Sequence, residues 1–149
     1  MPKENRGAFY SYVGIDDHSR CHLQRDGIFA ASKEFVEMHP KTKGQRRQVR
    51  QQILRGSAFI LSLRDKERAI TAARRKLAKK HTGIRLFEVA IPFDRNQQKK
   101  RVYLRGVEGW LGVSSKNTKT PIPTGSARGE YLFVGSIPRE YIREISWRT

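Results

Sequence analysis

Cysteine is almost missing from this chain. Cys21 is its one thiol, so no disulfide closes within the sequence, which fits a reducing compartment or one whose oxidising power is not needed. Acidic residues are scarce too, 14 Asp and Glu against 31 Lys and Arg. No apolar run approaches the roughly 20 residues that cross a bilayer. The opening MPKENRGAFY is charged with no apolar stretch behind it, unlike a secretory signal. There is no Gly-Lys-Ser/Thr phosphate loop, and no Gly-x-Gly-x-x-Gly runs from a strand into a helix. The glycines of RGVEGWLG (105–112) read as turn residues. His18, Cys21 and His22 lie close together, but no complementary Cys/His pair completes the four ligands of a structural zinc site. No metal is expected, and these side chains read as turn and surface residues.

What is present is a core and an uneven charge. Apolar residues make up 37% of the 149 and charged residues 30%, which suits one folded domain rather than a disordered tail. The net charge is +17. Residues 41–101 hold 19 basic and 4 acidic side chains, a balance of +15, whereas the remainder is nearly neutral. Such a field draws in phosphate-rich or acidic partners at long range and weakens with salt. Nucleic acid or an acidic protein is the expected partner of this cationic region. No helix has the broad apolar face that would lie in a membrane, so lipid ranks last. The expected location is the cytoplasm or nucleus.

Along the chain, Ala8–Ile15 is aromatic and β-branched and reads as a first strand, with turn chemistry at Asp16-Asp17-His18-Ser19. Gly27–Ala31 reads as a second, brief strand. Ser32 is placed to cap a short helix through Phe35 and Val36, ended by Pro40. Over Gln45–Arg55, Val49 and Ile53 with neighbouring Leu54 predict a helix with a narrow apolar stripe and a basic outer face. Ser57–Leu63 is the most strand-like run. Asp65 then opens the clearest helix, with Ala69, Ala73 and Leu77 every four residues and Gly83 placed to end it. Its C-terminal half carries Arg74, Arg75, Lys76, Lys79 and Lys80, cations that suit the helix dipole. From Ile84 the chain is mainly β: Ile84–Pro92, Arg101–Arg105, Trp110–Val113, Glu130–Pro138 and Tyr141–Trp147. A long loop, Ser114–Gly129, separates the third of these from the fourth. The expected class is α+β, with a compact mixed, mostly antiparallel sheet and two or three helices.

Two constellations carry chemistry. Arg46, Arg47, Arg50, Arg74, Arg75, Lys76, Lys79 and Lys80 together form a cationic surface for nucleic acid. Glu130 begins a strand directly after the long loop, where a carboxylate could polarise a ribose hydroxyl or stabilise an oxocarbenium-like centre. From spacing alone, an ordinary strand-edge glutamate paired with Arg128 is the better fit.

The order of pieces resembles an ADP-ribosyltransferase-like domain of the toxin and effector branch. The resemblance is carried by S-A-F-I-L-S-L, the alanine-bearing helix after it, and G-E-Y-L-F-V-G-S-I-P. It implies that fold over 1–149, NAD as cofactor, a protein or nucleic-acid acceptor, and delivery into a host cell if the chain is an effector. It makes Glu130 the catalytic carboxylate and Ser62, with Ser57 as the alternative, the serine of the central strand. Tyr10 stands in the region where the family has a first-strand Arg, with Arg20 or Arg6 as spatial substitutes. Arg128 occupies the position where a Glu or Gln supports transfer. The two leading readings are therefore an NAD-dependent transferase, active or degenerate, and a non-catalytic nucleic-acid-binding module on the same scaffold. A small structural RNA-binding protein is the third.

Overall fold

The computed structural model describes residues 8–37, 40–92, 104–106 and 130–148. The expected loop Ser114–Gly129, the strand Trp110–Val113, and Arg6 and Arg128 lie outside these residues. The fold is mixed α+β, with two helices and a mostly antiparallel sheet core.

The first strand, β1, spans Ala8–Ile15 as its aromatic and β-branched content predicts. A hairpin follows, in which the expected brief strand, β3 (Gly27–Phe29), pairs with β2 (His22–Gln24), a strand not expected from the sequence. Helix α1 covers Lys43–Arg55 and opens with a capping box between Thr42 and Gln45. Strand β4 (Phe59–Leu63) leads through the N-cap Asp65 into α2 (Lys66–Ala78). Then come β5 (Arg85–Pro92), β6 (Leu104–Gly106), β7 (Glu130–Val134), β8 (Ser136–Pro138) and β9 (Ile142–Ile145). Among the described residues, no helix is long and apolar enough to cross a membrane.

Three local expectations need correction. Ser32 caps no helix, because residues 32–37 contain none. The segment is instead tied to its neighbours: Ser32 donates its backbone N–H to Ser57 O, and Gln52 Nε2 donates to Phe35 O at 2.8 Å. Val36 is buried by this course while Phe35 stays 77% exposed. Gly83 does not end α2. The helix stops at Ala78, and Lys80 takes the left-handed turn at φ 66 before Gly83 takes another. The run Glu130–Pro138 is two strands rather than one. Gly135, at φ 80, breaks it so that β7 joins one sheet and β8 the other.

The large sheet has the order β6-β7-β4-β1-β5-β9, and the small one β2-β3-β8. β4 and β5 both run antiparallel to β1, so they are parallel to each other, joined through α2 with β1 between them. Alternation gives the large sheet two working faces. On one, Val13, Ile60, Phe87, Val89 and Phe133 pack against Ile28 and Ile137 of the small sheet. The other face is helical. There Val49 of α1 packs with Phe59 and Leu132, and Ala69 and Ala73 of α2 pack with Leu86 and Trp147.

Candidate functional site

The two basic helices thus lie on one side of the sheet. α1 buries Val49 and Gln52 and leaves Arg46 and Arg47 exposed, with Arg50 partly so. α2 buries Ala69 and Ala73 and exposes Arg74, Arg75, Lys79 and, just past its end, Lys80. At 100° per residue, Arg68, Ala72, Arg75 and Lys79 fall along one flank of α2. Lys76 departs from the expected outward cluster. It turns inward, its Nζ 3.2 Å from Asp16 Oδ2.

The ends of α1 and α2 cover opposite ends of β4. Phe59 is buried with the α1 cluster and Leu63 packs against the α2 cluster. Leu61, between them on a central strand, is 49% exposed. A cleft of ≈ 330 Å³ opens there, lined by β4, by Tyr12 and Gly14 of β1, and by the small side chains of α2. Arg20 and Lys76 bring positive charge to it. Arg20 also donates to the Arg55 carbonyl at the end of α1.

Beside the cleft is a polar cluster that joins the expected turn Asp16-Asp17-His18-Ser19 to His81 and Thr82. Asp16, at the end of β1, receives the His18 backbone N–H at 2.7 Å, with His81 Nδ1 3.1 Å from its Oδ2. Asp17 accepts from the Thr82 backbone and hydroxyl at 3.1 and 3.0 Å, and the His18 and His81 rings stack at 3.8 Å. Burial alone would raise the Asp16 carboxyl. The bonds from His81, the His18 backbone and Lys76 outweigh it and hold the group down at about 2. Asp17 is also lowered, chiefly by the Thr82 backbone bond. The ligand atoms of Asp16, Asp17, His18 and His81 lie within 4.8 Å of one another. Their carboxylate oxygens already receive N–H and O–H donors, and the Lys76 ammonium supplies the balancing charge. The arrangement is that of a clasp between the end of β1 and the chain after α2. Only the 65-residue separation of Asp16 and His81 hid it. Cys21 sits nearby, partly buried, and burial raises its thiol. His22 is exposed and stacks on Phe29.

The residues of the expected NAD site are not drawn together. Ser62 is buried, and its hydroxyl donates to Tyr131 O at 3.0 Å. It shares the sandwich face with Ile60. Glu130 pairs across with Leu63 and alternates with Leu132, so its side chain belongs to the helical face. The serine and the carboxylate therefore project from opposite sides of the sheet. Ser57 sits in the turn before β4, where its hydroxyl lies 3.4 Å from that of Ser32. Tyr10, opposite Ala90, is partly buried, and its carbonyl receives Arg64 at 2.5 Å. Glu130 is only 6% exposed. Further along the same face, Tyr12 donates to Glu88 at 3.2 Å and Arg143 donates to Glu88 at 2.9 Å. Burial first, and then Glu88, raises the Tyr12 phenol. No family model, no curated protein and no solved structure matches the chain.

Proposed function

We propose that this chain is a nucleic-acid-binding module whose cationic helical face holds the phosphate backbone. One observation carries the reading: α1 and α2, which hold most of the basic cluster, pack on the same face of the sheet and present Arg46, Arg47, Arg74, Arg75, Lys79 and Lys80 to solvent. Cations gathered on one face neutralise successive phosphates and release condensed counterions, so affinity follows charge and salt more than sequence. The test is fluorescence anisotropy with labelled single-stranded and duplex oligonucleotides over a salt series. Engagement of four or five phosphates predicts that log affinity falls with log salt at a slope of about 3 to 4. A flat salt response sinks the reading, and steep binding to an acidic polypeptide but not to oligonucleotides would transfer it to an acidic protein partner.

A second reading, the NAD-dependent ADP-ribosyltransferase, is favoured by one feature. Glu130 begins β7 as a buried carboxylate on the helical face, in the same cross-strand row as Leu63 and Tyr12. A carboxylate screened from water there suits stabilisation of a ribose-centred cation. Labelled NAD with protein and nucleic-acid acceptors tests it. Transfer that vanishes in Glu130→Gln supports an enzyme, and absence of transfer by the wild type removes it.

A further inference from the structure

The cleft over Leu61 has a chemistry of its own, separate from the cationic surface. A leucine on a central strand would normally be covered, because leaving it bare forgoes about 25 cal/mol for each Å² of apolar area. Here the alanines of α2 that line the cleft, Ala69, Ala72 and Ala73, end in single methyls that leave Leu61 49% exposed, and Gly14 adds no side chain to the lining. The walls are largely apolar: Leu61, Leu63, Ile84, Leu86 and alanine methyls, with the Phe59 ring at one end. The Tyr12 hydroxyl, a polar group of the lining, is already committed to Glu88. A nucleobase placed inside would bury its donors and acceptors with few partners, which is unfavourable. An alkyl chain would not. The mouth is cationic. Arg20 has five N–H donors, one of them placed on the Arg55 carbonyl. Lys76 adds a second cationic donor, its ammonium partly neutralised by Asp16.

From this pairing of largely apolar walls with a guanidinium at the rim, we infer that the cleft is a binding site for a small amphipathic carboxylate, a free medium-chain fatty acid in chemical class. The alkyl chain lies against Leu61, Leu63 and Ala72, and the carboxylate meets Arg20, whose planar fork matches it. The volume of ≈ 330 Å³ falls within the range of small-molecule pockets. This site does not depend on the nucleic-acid reading, and each can fail without the other.

Isothermal titration of the full chain with octanoate and with octan-1-ol separates the two contributions. The expected result is saturable octanoate binding at one site, about tenfold tighter than octanol, the worth of one charge-assisted bond. Arg20→Met should remove that preference while octanol affinity holds. Ala72→Phe should fill the cleft and abolish binding of both without lowering the melting temperature. Equal affinity for acid and alcohol, full octanoate binding by Ala72→Phe, or no binding by the wild type would each overturn the assignment.

Discussion

The Asp16 carboxylate is buried beside the Lys76 ammonium and the His81 ring, so its protonation is coupled to folding. Its native value of about 2 lies below the ordinary 3.8. A carboxylate lowered on folding contributes its full stability above the unfolded value and loses it as pH falls through the folded one. The difference corresponds to about 2 kcal/mol. Thermal melts of wild type and Asp16→Asn should therefore differ most above about pH 5 and converge towards pH 2; a constant offset would contradict the clasp. Two buried serines make a contrasting pair. Among the described residues Ser11 Oγ has no hydrogen-bond partner, whereas Ser62 Oγ donates to Tyr131 O. Ser11→Ala should leave stability unchanged or raised, while Ser62→Ala should cost about 1 kcal/mol by chemical denaturation. Equal losses would show that the Ser62 bond carries no weight.

At the scale of elements, much was legible because the signals were local. β1 coincides with its aromatic and β-branched run, and α2 begins at the Asp65 cap, whose side chain receives the Glu67 N–H at 2.9 Å. The stripe of α1 was read at Val49 and Ile53, but Leu54 is 55% exposed and does not belong to it. What stayed hidden depends on distant partners. Residues 32–37 look helical alone yet are held in an irregular course by Ser57 and Gln52, and Glu130 and Ser62 read as a pair until cross-strand register puts them on opposite faces. Gly27 shows how such register constrains sequence. A Cβ there would lie 2.0 Å from the Ile137 carbonyl oxygen across the β3–β8 pairing, at φ +145, whereas at Gly83 (φ +63) nothing lies within 4 Å. Gly27→Ala should thus lower stability by about 3 kcal/mol or more, and Gly83→Ala by about 1. Urea melts of the two variants would expose an error in this register if their order were reversed.

For the whole molecule, position of charge matters more than its total. The helical face carries the basic cluster, while the opposite side is built from the small sheet, whose turns and ends hold the exposed Arg25 and Arg139. Composition announced an excess of cations, and helical periodicity assigned many of them to α1 and α2. That both helices share one face could not be read locally, because it follows from the strand order that places β4 between β7 and β1. Steering by net charge alone would make every arginine equivalent, whereas a docking face makes them unequal. The decisive measurement is oligonucleotide affinity, at one fixed salt concentration, of two variants with identical net charge: Arg75→Glu with Lys79→Glu, and Arg25→Glu with Arg139→Glu. The helical-face account predicts a loss of about tenfold or more for the first pair and less than about threefold for the second. Equal losses would contradict it and leave only a non-specific field.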